Sequence, residues 1–370
     1  MQAFVYQSNP SRVVFGAGAL QHLAREIDAL GAKRALILST PEQAESARRV
    51  AEMLGERAAG IFAKAVMHVP IESAREARDE ARRLGADCAV AIGGGSTTGL
   101  GKAIALDSGL PILAIPTTYA GSEMTPIYGI TEGGVKKTGR DPRVLPRTVI
   151  YDPELTLSLP LAMTVTSGMN AIAHAAEGLY AHDGNPIVAM MAEEGIRATA
   201  AAMPLLAADP KDIVARGDAL YGAWLCGSVL GAVAMGLHHK LCHTLGGSFN
   251  LPHAEVHTVI LPHALAYNAA QAPEAMQRIA RALGAASADQ AGHAASAEQS
   301  GRAVSAARGV FDLAKRHGAP VALKDIAMPA DGLDRAADLA VLNQYPNPRP
   351  LERAAIRELL QRAFDGTRPD

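Results

Sequence analysis

The sequence predicts an α/β domain with a parallel, Rossmann-like nucleotide-binding sheet, followed by an all-α domain. In roughly the first 150 residues, short β-prone runs alternate with helical stretches of about 10–15 residues, a pattern that implies βαβ units. After Asp152-Pro153, β-branched runs become scarce and Ala/Leu-rich helical patterns dominate. Pro153 and Pro160 interrupt the chain at this change. We therefore expect one domain over residues 1–155 and a helical domain over residues 156–370.

The individual elements of the first domain follow from hydrophobic periodicity. Apolar, β-branched runs predict five strands, at Arg12–Phe15, Ala35–Ser39, Ala89–Ile92, Ile112–Ile115 and Thr148–Tyr151. Apolar residues at three- and four-residue spacing predict helices at Leu20–Leu30, Pro41–Leu54 and Ile71–Leu84. In the second domain, the apolar stretch Ala219–Gly236 only just reaches membrane-spanning length, and we interpret it as a buried helix.

Composition excludes several classes of protein. The chain has 370 residues, is 49% hydrophobic and carries a formal net charge of −2, which is a globular balance without the basic surface that nucleic acid requires. The three scattered cysteines favour a reducing cytoplasm over a disulfide framework. No signal-peptide pattern is visible at the N-terminus. We therefore expect a cytoplasmic protein without membrane or nucleic-acid partners.

A glycine-rich turn follows the predicted strand Ala89–Ile92. Gly93, Gly94, Gly95 and Ser96 lead directly into a predicted helix, Thr97–Leu106. Glycines let the backbone approach a ligand closely, and the helix N-terminus offers unpaired N–H groups to a pyrophosphate. The turn is neither GxGxxG nor a P-loop, so on its own it is equally compatible with glycines that only permit a tight turn.

A second group of polar residues supports a nucleotide site. The strand Ile112–Ile115 ends in a segment that contains Thr117, Thr118, Tyr119 and Ser122. Small and hydroxyl-bearing residues at the end of a neighbouring strand belong in the crevice where doubly wound sheets bind nucleotides. Both motifs together predict that the first domain binds a dinucleotide.

The end of the strand Ala35–Ser39 bears on which dinucleotide is used. Sheets selective for NAD often carry an acidic residue there to bind the adenosine ribose hydroxyls. Here the chain reads Ser39-Thr40-Pro41. We therefore place Thr40 in the cofactor site and expect NADPH to be accepted alongside NADH.

Histidines are concentrated in the second domain. Six of the twelve lie close together in the sequence, at His238, His239, His243, His253, His257 and His263. Earlier, Asn170 and His174 share a helix face at i,i+4 spacing, and His239/His243 and His253/His257 repeat this spacing. Such a cluster of imidazoles suits a divalent metal, or it suits an anionic substrate and general acid catalysis. We expect the helical domain to be catalytic.

Taken in order, these motifs resemble the iron-containing (group III) alcohol dehydrogenase family over nearly the whole chain. The glycine turn with Lys102 after it, the Pro-Thr-Thr…Ser-Glu segment, Gly168–Glu177, the histidines and Asn347–Pro350 all match in order and spacing. The family usually holds a metal with an aspartate and three histidines. The matching positions here are Asn170, His174, His239 and His253, so an amide replaces the carboxylate. Gly99 and Ala254 also depart from the family pattern.

Within this family the chain most resembles the maleylacetate reductase branch. The segments that carry this resemblance are Phe4–Tyr6, Pro10–Gly16, Val66–Pro70, Lys136–Asp141 and Leu251–His257. The resemblance implies NADH- or NADPH-dependent reduction of the C=C bond of maleylacetate, a small dicarboxylate, to 3-oxoadipate in bacterial catabolism of aromatic compounds. It also implies no metal requirement, a homodimer, and a cofactor site that includes Lys137.

Residue roles follow from this implied reaction. We expect His243 and His253 to be catalytic, through stabilisation and protonation of the oxygen that gains charge. We expect Asn170, His174, His239, Lys240 and His257 to bind the substrate. The nearest alternative is a metal-dependent alcohol dehydrogenase of the same family, in which Asn170 ligates through its amide oxygen. A dehydroquinate synthase-like lyase and a non-enzymatic nucleotide sensor or metal store are more distant alternatives.

Overall fold

The computed structural model describes residues 4, 6, 8, 9, 11–133, 135–290, 305–342 and 345–369. The chain divides into two compact units. One spans Gln7–Leu159, and the other spans Pro160–Asp370 and includes the described N-terminal residues Phe4 and Tyr6. This division lies close to the predicted boundary between residues 155 and 156. The roles given to the two predicted domains stay predictions.

The first unit contains a six-stranded sheet whose paired strands are all parallel, which confirms the predicted α/β class. Its strands are β1 (Arg12–Phe15), β2 (Ala35–Leu38), β3 (Ala58–Phe62), β4 (Cys88–Gly93), β5 (Ile112–Pro116) and β8 (Thr148–Tyr151), and a separate hairpin contains β6 (Ile127–Glu132) and β7 (Val135–Arg140). The helices are α1 (Leu23–Ala29), α2 (Ala44–Leu54), α3 (Ile71–Arg83) and α4 (Gly95–Ser108).

Strand order explains where a nucleotide can bind. The sheet runs β1-β8-β5-β4-β2-β3, so the chain moves outward from β2 to β3 and then returns to the other side of β2 with β4. In open parallel sheets, such a reversal opens a crevice beyond the carboxyl ends of the two strands. The residues that follow β2 and β4 are Ser39-Thr40 and the glycine turn. Topology therefore brings both predicted motifs to one crevice.

The predicted strands are present, but three others escaped the sequence analysis. The edge strand β3 begins with Ala58-Ala59-Gly60, residues of weak β propensity, and most of it is only partly buried. The hairpin strands β6 and β7 pair in antiparallel register from Ile127 with Arg140 to Glu132 with Val135. Neither β3 nor the hairpin has the continuous buried run that marks β2, β4 and β5.

Lys102, on α4, is buried and holds the loop that precedes the hairpin. Its Nζ donates to the carbonyl oxygens of Ser122, Thr125 and Ile127 at 2.6–2.8 Å and to the Thr125 hydroxyl at 2.9 Å. Burial lowers the pKa of Lys102 to about 7. The nearby Glu123 carboxyl accepts a 2.8 Å hydrogen bond from the Tyr151 hydroxyl. This polar core fixes the segment that follows β5.

The second unit is helical, as predicted. Its described helices are α5 (Leu161–Gly178), α6 (Pro186–Ala208), α7 (Ile213–Ala232), α8 (Leu237–Phe249), α9 (His253–Asn268), α10 (Pro273–Gln290), α11 (Ala306–Arg316), α12 (Leu333–Val341) and α13 (Arg353–Asp365). A core of leucine, isoleucine and alanine side chains joins α8, α9, α12 and α13. This core supports the two helices that carry most of the clustered histidines.

The apolar stretch Ala219–Gly236 corresponds to most of α7, and many of its side chains are buried. Within the described residues, no single helix is long and apolar enough to cross a membrane. The pair α7 and α8, bent by 96° at the break between them, passes the same test of length and composition.

Candidate active site

The glycine turn forms a close-fitting cradle at the start of α4. Gly93 has φ of 148°, and a Cβ there would lie 2.5 Å from both Gln43 Oε1 and Thr97 Oγ1. A Cβ on Gly94 would lie 3.1 Å from Thr118 Oγ1. The N-cap of α4, Gly94, provides no side-chain hydrogen bond to the helix. The first N–H groups of α4 therefore remain available to an anion such as a pyrophosphate.

Gln43 is a residue of this cradle that the sequence analysis missed. Its Nε2 donates to Thr117 Oγ1 at 2.8 Å and so connects the segment after β2 to the end of β5. Thr97 Oγ1 is buried and has no hydrogen-bond partner in the described part of the chain. The cradle is therefore a polar surface formed where three neighbouring strands of the sheet, β5, β4 and β2, end.

The structure adds a carboxylate beside Thr40. Glu42, two residues further on, is exposed, and its own backbone N–H and the Thr40 hydroxyl hold the pKa of its carboxyl below the usual range. Residues 39–41, on which the expectation of NADPH binding depends, contain no acidic side chain. An anionic Glu42 at this strand end weakens the premise that nothing there repels a 2′-phosphate.

Three residues of the predicted cofactor site are buried or already contact other residues. Tyr119 is fully buried and exposes no side-chain surface to a ligand. The carbonyl of Ser122 is occupied by Lys102. Lys137 lies on the hairpin strand β7, where its ammonium pairs with Glu132 at 2.8 Å. The cofactor roles of these three residues stay predictions.

Gly99 explains one departure from the family pattern. A Cβ at this position would lie 2.8 Å from Cγ2 of Val69. Val69 has φ of 47°, a strained conformation for a β-branched residue. An aspartate at position 99 would therefore collide with the loop that the segment Val66–Pro70 forms.

The second unit brings six histidine rings together. Ring centroids are separated by 4.3 Å for His253 and His257, 5.0 Å for His239 and His257, and 5.1 Å for His174 and His239. The rings of His243 and His253 are stacked 6.5 Å apart. His238 completes the group, 4.8 Å from His257. The i,i+4 pairs on α5, α8 and α9 therefore converge as predicted.

The members of this histidine cluster differ in burial. His174, His238, His239 and His257 are buried, His253 is partly buried and His243 is exposed. Burial, reinforced by the neighbouring histidines, lowers the pKa of His174, His238 and His257 well below the usual range. These three rings are therefore neutral at pH 7. The two histidines predicted to be catalytic are the more exposed members of the cluster.

Glu177 is the most important residue that the sequence analysis left without a role. Its carboxylate lies 2.7 Å from His239 Nδ1 and accepts backbone N–H groups of Gly236 and His238 at 3.0 and 2.9 Å. A carboxylate can only accept, so Nδ1 of His239 carries the proton. In the tautomer that is protonated only at Nδ1, the Nε2 of His239 presents a lone pair to the site. The signal was in the sequence, because Glu177 lies three residues after His174 on α5.

Several polar atoms of the site are buried without a hydrogen-bond partner among the described residues. They are Asn170 Oδ1, His174 Nδ1, His239 Nε2 and His257 Nε2. Unsatisfied buried polar atoms are costly, so their concentration in one place indicates that they bind a ligand, an ion or water.

Lys240 is partly buried, and its Nζ lies 5.9 Å from the centroid of the Tyr345 ring.

Two members of the cluster, His238 and His257, also lie close to Cys242. The ligand atoms of His238, Cys242 and His257 lie within 4.8 Å of one another and could hold a metal ion. However, His238 Nε2 and His257 Nδ1 are already 3.0 Å apart in a hydrogen bond. Burial raises the pKa of the Cys242 thiol well above its usual range, and a coordinated metal would lower that pKa again. The trio combines a hydrogen bond that supports the site with a set of donors that fits a metal ion.

Two family models match the chain. The model of the iron-containing alcohol dehydrogenases matches residues 10–153, and the model of the C-terminal part of the Fe-containing alcohol dehydrogenase family matches residues 164–364. The chain belongs to the iron-containing alcohol dehydrogenase family. Membership confirms the resemblance on which the sequence analysis relied and the prediction of an oxidoreductase.

Relatives over the whole chain agree with this assignment. The chain is 71% identical to a maleylacetate reductase from Burkholderia cepacia, over the full length of both proteins. It is 57% identical to a maleylacetate reductase from Sphingobium indicum, over 99% of each. The crystal structure of a maleylacetate reductase from Agrobacterium tumefaciens is 54% identical, with a TM-score of 0.92 and full coverage of both chains.

Family membership does not support the prediction that no metal is required, since the family is defined by iron. The residues present do fit a divalent cation. Asn170 Oδ1, His174 Nδ1 and His239 Nε2 are buried acceptors without partners among the described residues. The hydrogen bond from His239 to Glu177 is the arrangement that usually orients a metal-binding histidine. The amide of Asn170 supplies one negative charge fewer than a carboxylate would.

Proposed function

We propose that this protein reduces maleylacetate to 3-oxoadipate with NADH or NADPH. The observation that carries the proposal is the 71% identity to a maleylacetate reductase over the full length of both chains. The site is chemically suitable, because a neutral Asn170 does not repel a dicarboxylate as an aspartate would. Reduction of such a compound serves the catabolism of aromatic compounds.

The proposed reaction adds a hydride and a proton across a conjugated double bond. The alkene carbon β to the ketone would take up the hydride that a bound NADH or NADPH supplies. The electron pair of the double bond moves to make an enolate, so negative charge grows on the ketone oxygen. A proton then goes to the α carbon, and the ketone is restored as the enolate collapses. The products are 3-oxoadipate and the oxidised nicotinamide.

His243 and His253 are the proposed donors to the enolate. Their accessible rings can donate N–H groups to the oxygen, and an imidazole can supply the proton near neutral pH. The buried, neutral rings of His174 and His257, with Asn170 and His239, would bind the substrate carboxylates by hydrogen bonds rather than by charge. Lys240 would supply a cation at the edge of the site.

A divalent metal would be held by Asn170, His174 and His239, with His253 as the fourth ligand that the family pattern implies. Such an ion would act as a Lewis acid that polarises a carbonyl oxygen. This is the site expected of the alternative function, a metal-dependent alcohol dehydrogenase. The cytoplasmic location and the homodimer belong to the same proposal, and size-exclusion chromatography with light scattering tests the dimer.

One assay distinguishes the two functions. Purified protein is given NADH and maleylacetate, or NAD⁺ and propanediol, each with and without a chelator. We expect NADH oxidation with maleylacetate that survives chelation, and little oxidation of propanediol. Turnover of propanediol that disappears with chelation would establish the alcohol dehydrogenase instead. His243→Ala and His253→Ala are each expected to lower maleylacetate turnover by about 10²-fold or more, and near-wild-type turnover would contradict their catalytic role.

A further inference from the structure

A cavity of about 460 Å³ lies in the helical unit, among residues of α9, α10, α11 and α13. Its walls are mostly small and apolar, and the side chains that matter chemically are His263, Tyr267, Arg349, Glu358 and Arg362. The volume is within the usual range for a small-molecule site, about 300–1,000 Å³. An apolar wall with a few convergent polar groups is the usual composition of such sites.

Arg349 gives the cavity a cation that has no ion-pair partner among the described residues. Its guanidinium lies 4.2 Å from the centroid of the Tyr267 ring. Among the described residues, the guanidinium of Arg349 contacts this ring, and no carboxylate lies within ion-pair distance of the guanidinium. Stacking on an aromatic face holds a guanidinium in place and leaves its N–H groups directed outward. Arg349 therefore presents an oriented set of donors suited to a carboxylate.

His263 provides a second polar group that the fold leaves unsatisfied. It is 3% exposed and lines the cavity, and its Nε2 is buried without a hydrogen-bond partner in the described part of the chain. Burial, reinforced by Arg362, lowers the pKa of His263 to about 4, so the ring is neutral. In one tautomer its Nε2–H would donate to an oxygen in the cavity.

This cavity is separate from the histidine cluster. His257 and His263 both lie on α9, six residues apart, which is a rise of about 9 Å and a rotation of about 240°. His263 therefore lies on a different face of α9 from His257, although the two residues are close in the sequence. None of the clustered histidines lines the cavity.

We propose that the cavity is a second small-molecule site, which binds an organic carboxylate whose apolar body packs against the alanine-rich walls. Arg349 and Arg362 place positive charge on its lining, and the exposed Glu358 is the acidic residue there. The carboxylate pairs with Arg349 and accepts from His263. The site does not depend on the reaction proposed above, because it shares no residue with it.

Isothermal titration of the full-length protein with benzoate tests the site, with benzyl alcohol as an uncharged probe of similar shape. We expect benzoate to bind at least tenfold more tightly than benzyl alcohol. Arg349→Gln should weaken benzoate binding at least tenfold, and Ala280→Leu, which fills the cavity from α10, should do the same without a change in charge. Arg316→Gln, an exposed arginine outside the cavity, should leave binding unchanged.

A variant of the histidine cluster shows which site benzoate occupies. His239→Ala should leave benzoate binding intact, because His239 does not line the cavity. Loss of binding in that variant would place benzoate in the histidine cluster and overturn the proposal. Equal binding by the wild type, Arg349→Gln and Ala280→Leu would also overturn it. So would the absence of binding up to about 10 mM benzoate, which corresponds to less than about 3 kcal/mol of binding free energy.

Discussion

The carboxylate of Glu177 on α5 lies 2.7 Å from Nδ1 of His239 on α8. The same carboxylate accepts the backbone N–H groups at the start of α8, so it both orients the ring and anchors the helix that carries it. Gly236 permits this approach, because a Cβ there would lie 3.2 Å from Glu177 Oε1. One buried acid therefore fixes the proton position on a histidine at the centre of the candidate site.

Glu177→Gln should lower kcat/KM for maleylacetate by about 10–100-fold. Glutamine has one accepting oxygen instead of two, so it cannot accept from both the backbone N–H groups and His239 as the carboxylate does. His239 therefore loses its fixed tautomer. Steady-state kinetics across pH 6–9 measure the effect, together with a thermal melt. Glu194→Gln, at a partly buried acid on α6 whose carboxylate pairs with Arg197, is the matched control. A pH profile identical to that of the wild type would mean that Glu177 has only a structural role.

Asn170→Asp should increase the affinity for a divalent cation. It adds a carboxylate to a site where His174 Nδ1 and His239 Nε2 have no hydrogen-bond partner among the described residues, and a hard cation gains most from that charge. We expect at least a tenfold lower Kd for Zn²⁺ or Fe²⁺ than in the wild type, and weaker binding of maleylacetate because the new charge repels it. Titration of the apoprotein measures both. An unchanged metal affinity would show that Asn170 does not face the metal position.

Glu42→Gln should shift the cofactor preference toward NADPH. The Glu42 carboxyl is kept ionised by its own backbone N–H and by Thr40, at the strand end where a 2′-phosphate is expected. We expect KM for NADPH to fall several-fold and KM for NADH to stay nearly unchanged. Glu45→Gln, in the first turn of α2, is the control. A selectivity of the wild type for NADH above about a hundredfold, roughly 2.7 kcal/mol, would contradict the expectation that both cofactors are accepted.

Lys102→Met should destabilise the first unit. The ammonium donates to three carbonyl oxygens and one hydroxyl in a buried place, and methionine removes this donor. The Ser122 carbonyl and the Thr125 hydroxyl keep neighbouring backbone donors, whereas the carbonyls of Thr125 and Ile127 lose their bond to the ammonium. Each lost hydrogen bond to a charged group costs about 1.5–3 kcal/mol. Relaxation of the surrounding structure offsets part of this loss, and so does the removal of a buried charge. A net loss of about 2–4 kcal/mol is expected from urea unfolding. Lys64→Met, at an exposed lysine, should change stability by less than about 0.5 kcal/mol.

Local sequence pattern predicted the strands that are apolar along their whole length. It missed the residues whose partners are distant in the sequence. Strands β2, β4 and β5 are continuous apolar runs, and the sequence located them. Glu177 and Gln43 look like ordinary polar helix residues, because their partners lie 62 and 74 positions away. The hairpin that carries Lys137 was also missed, because the family segment Lys136–Asp141 does not reveal the antiparallel pairing of β6 with β7. His263 likewise shared a sequence region with the cluster but not a helix face.

Acid should destabilise the protein partly through His263. Its folded pKa is about 4, below the usual 6.5 of an unfolded histidine. The unfolded chain therefore binds the proton first as pH falls, so the stability associated with neutral His263 is complete above pH 6.5 and is lost between 6.5 and 4. Between pH 7 and pH 5 the wild type should lose about 2 kcal/mol more than His263→Phe in urea unfolding. His182→Phe, at a largely exposed histidine, should lose as much as the wild type, and parallel losses in all three proteins would show that His263 titrates normally.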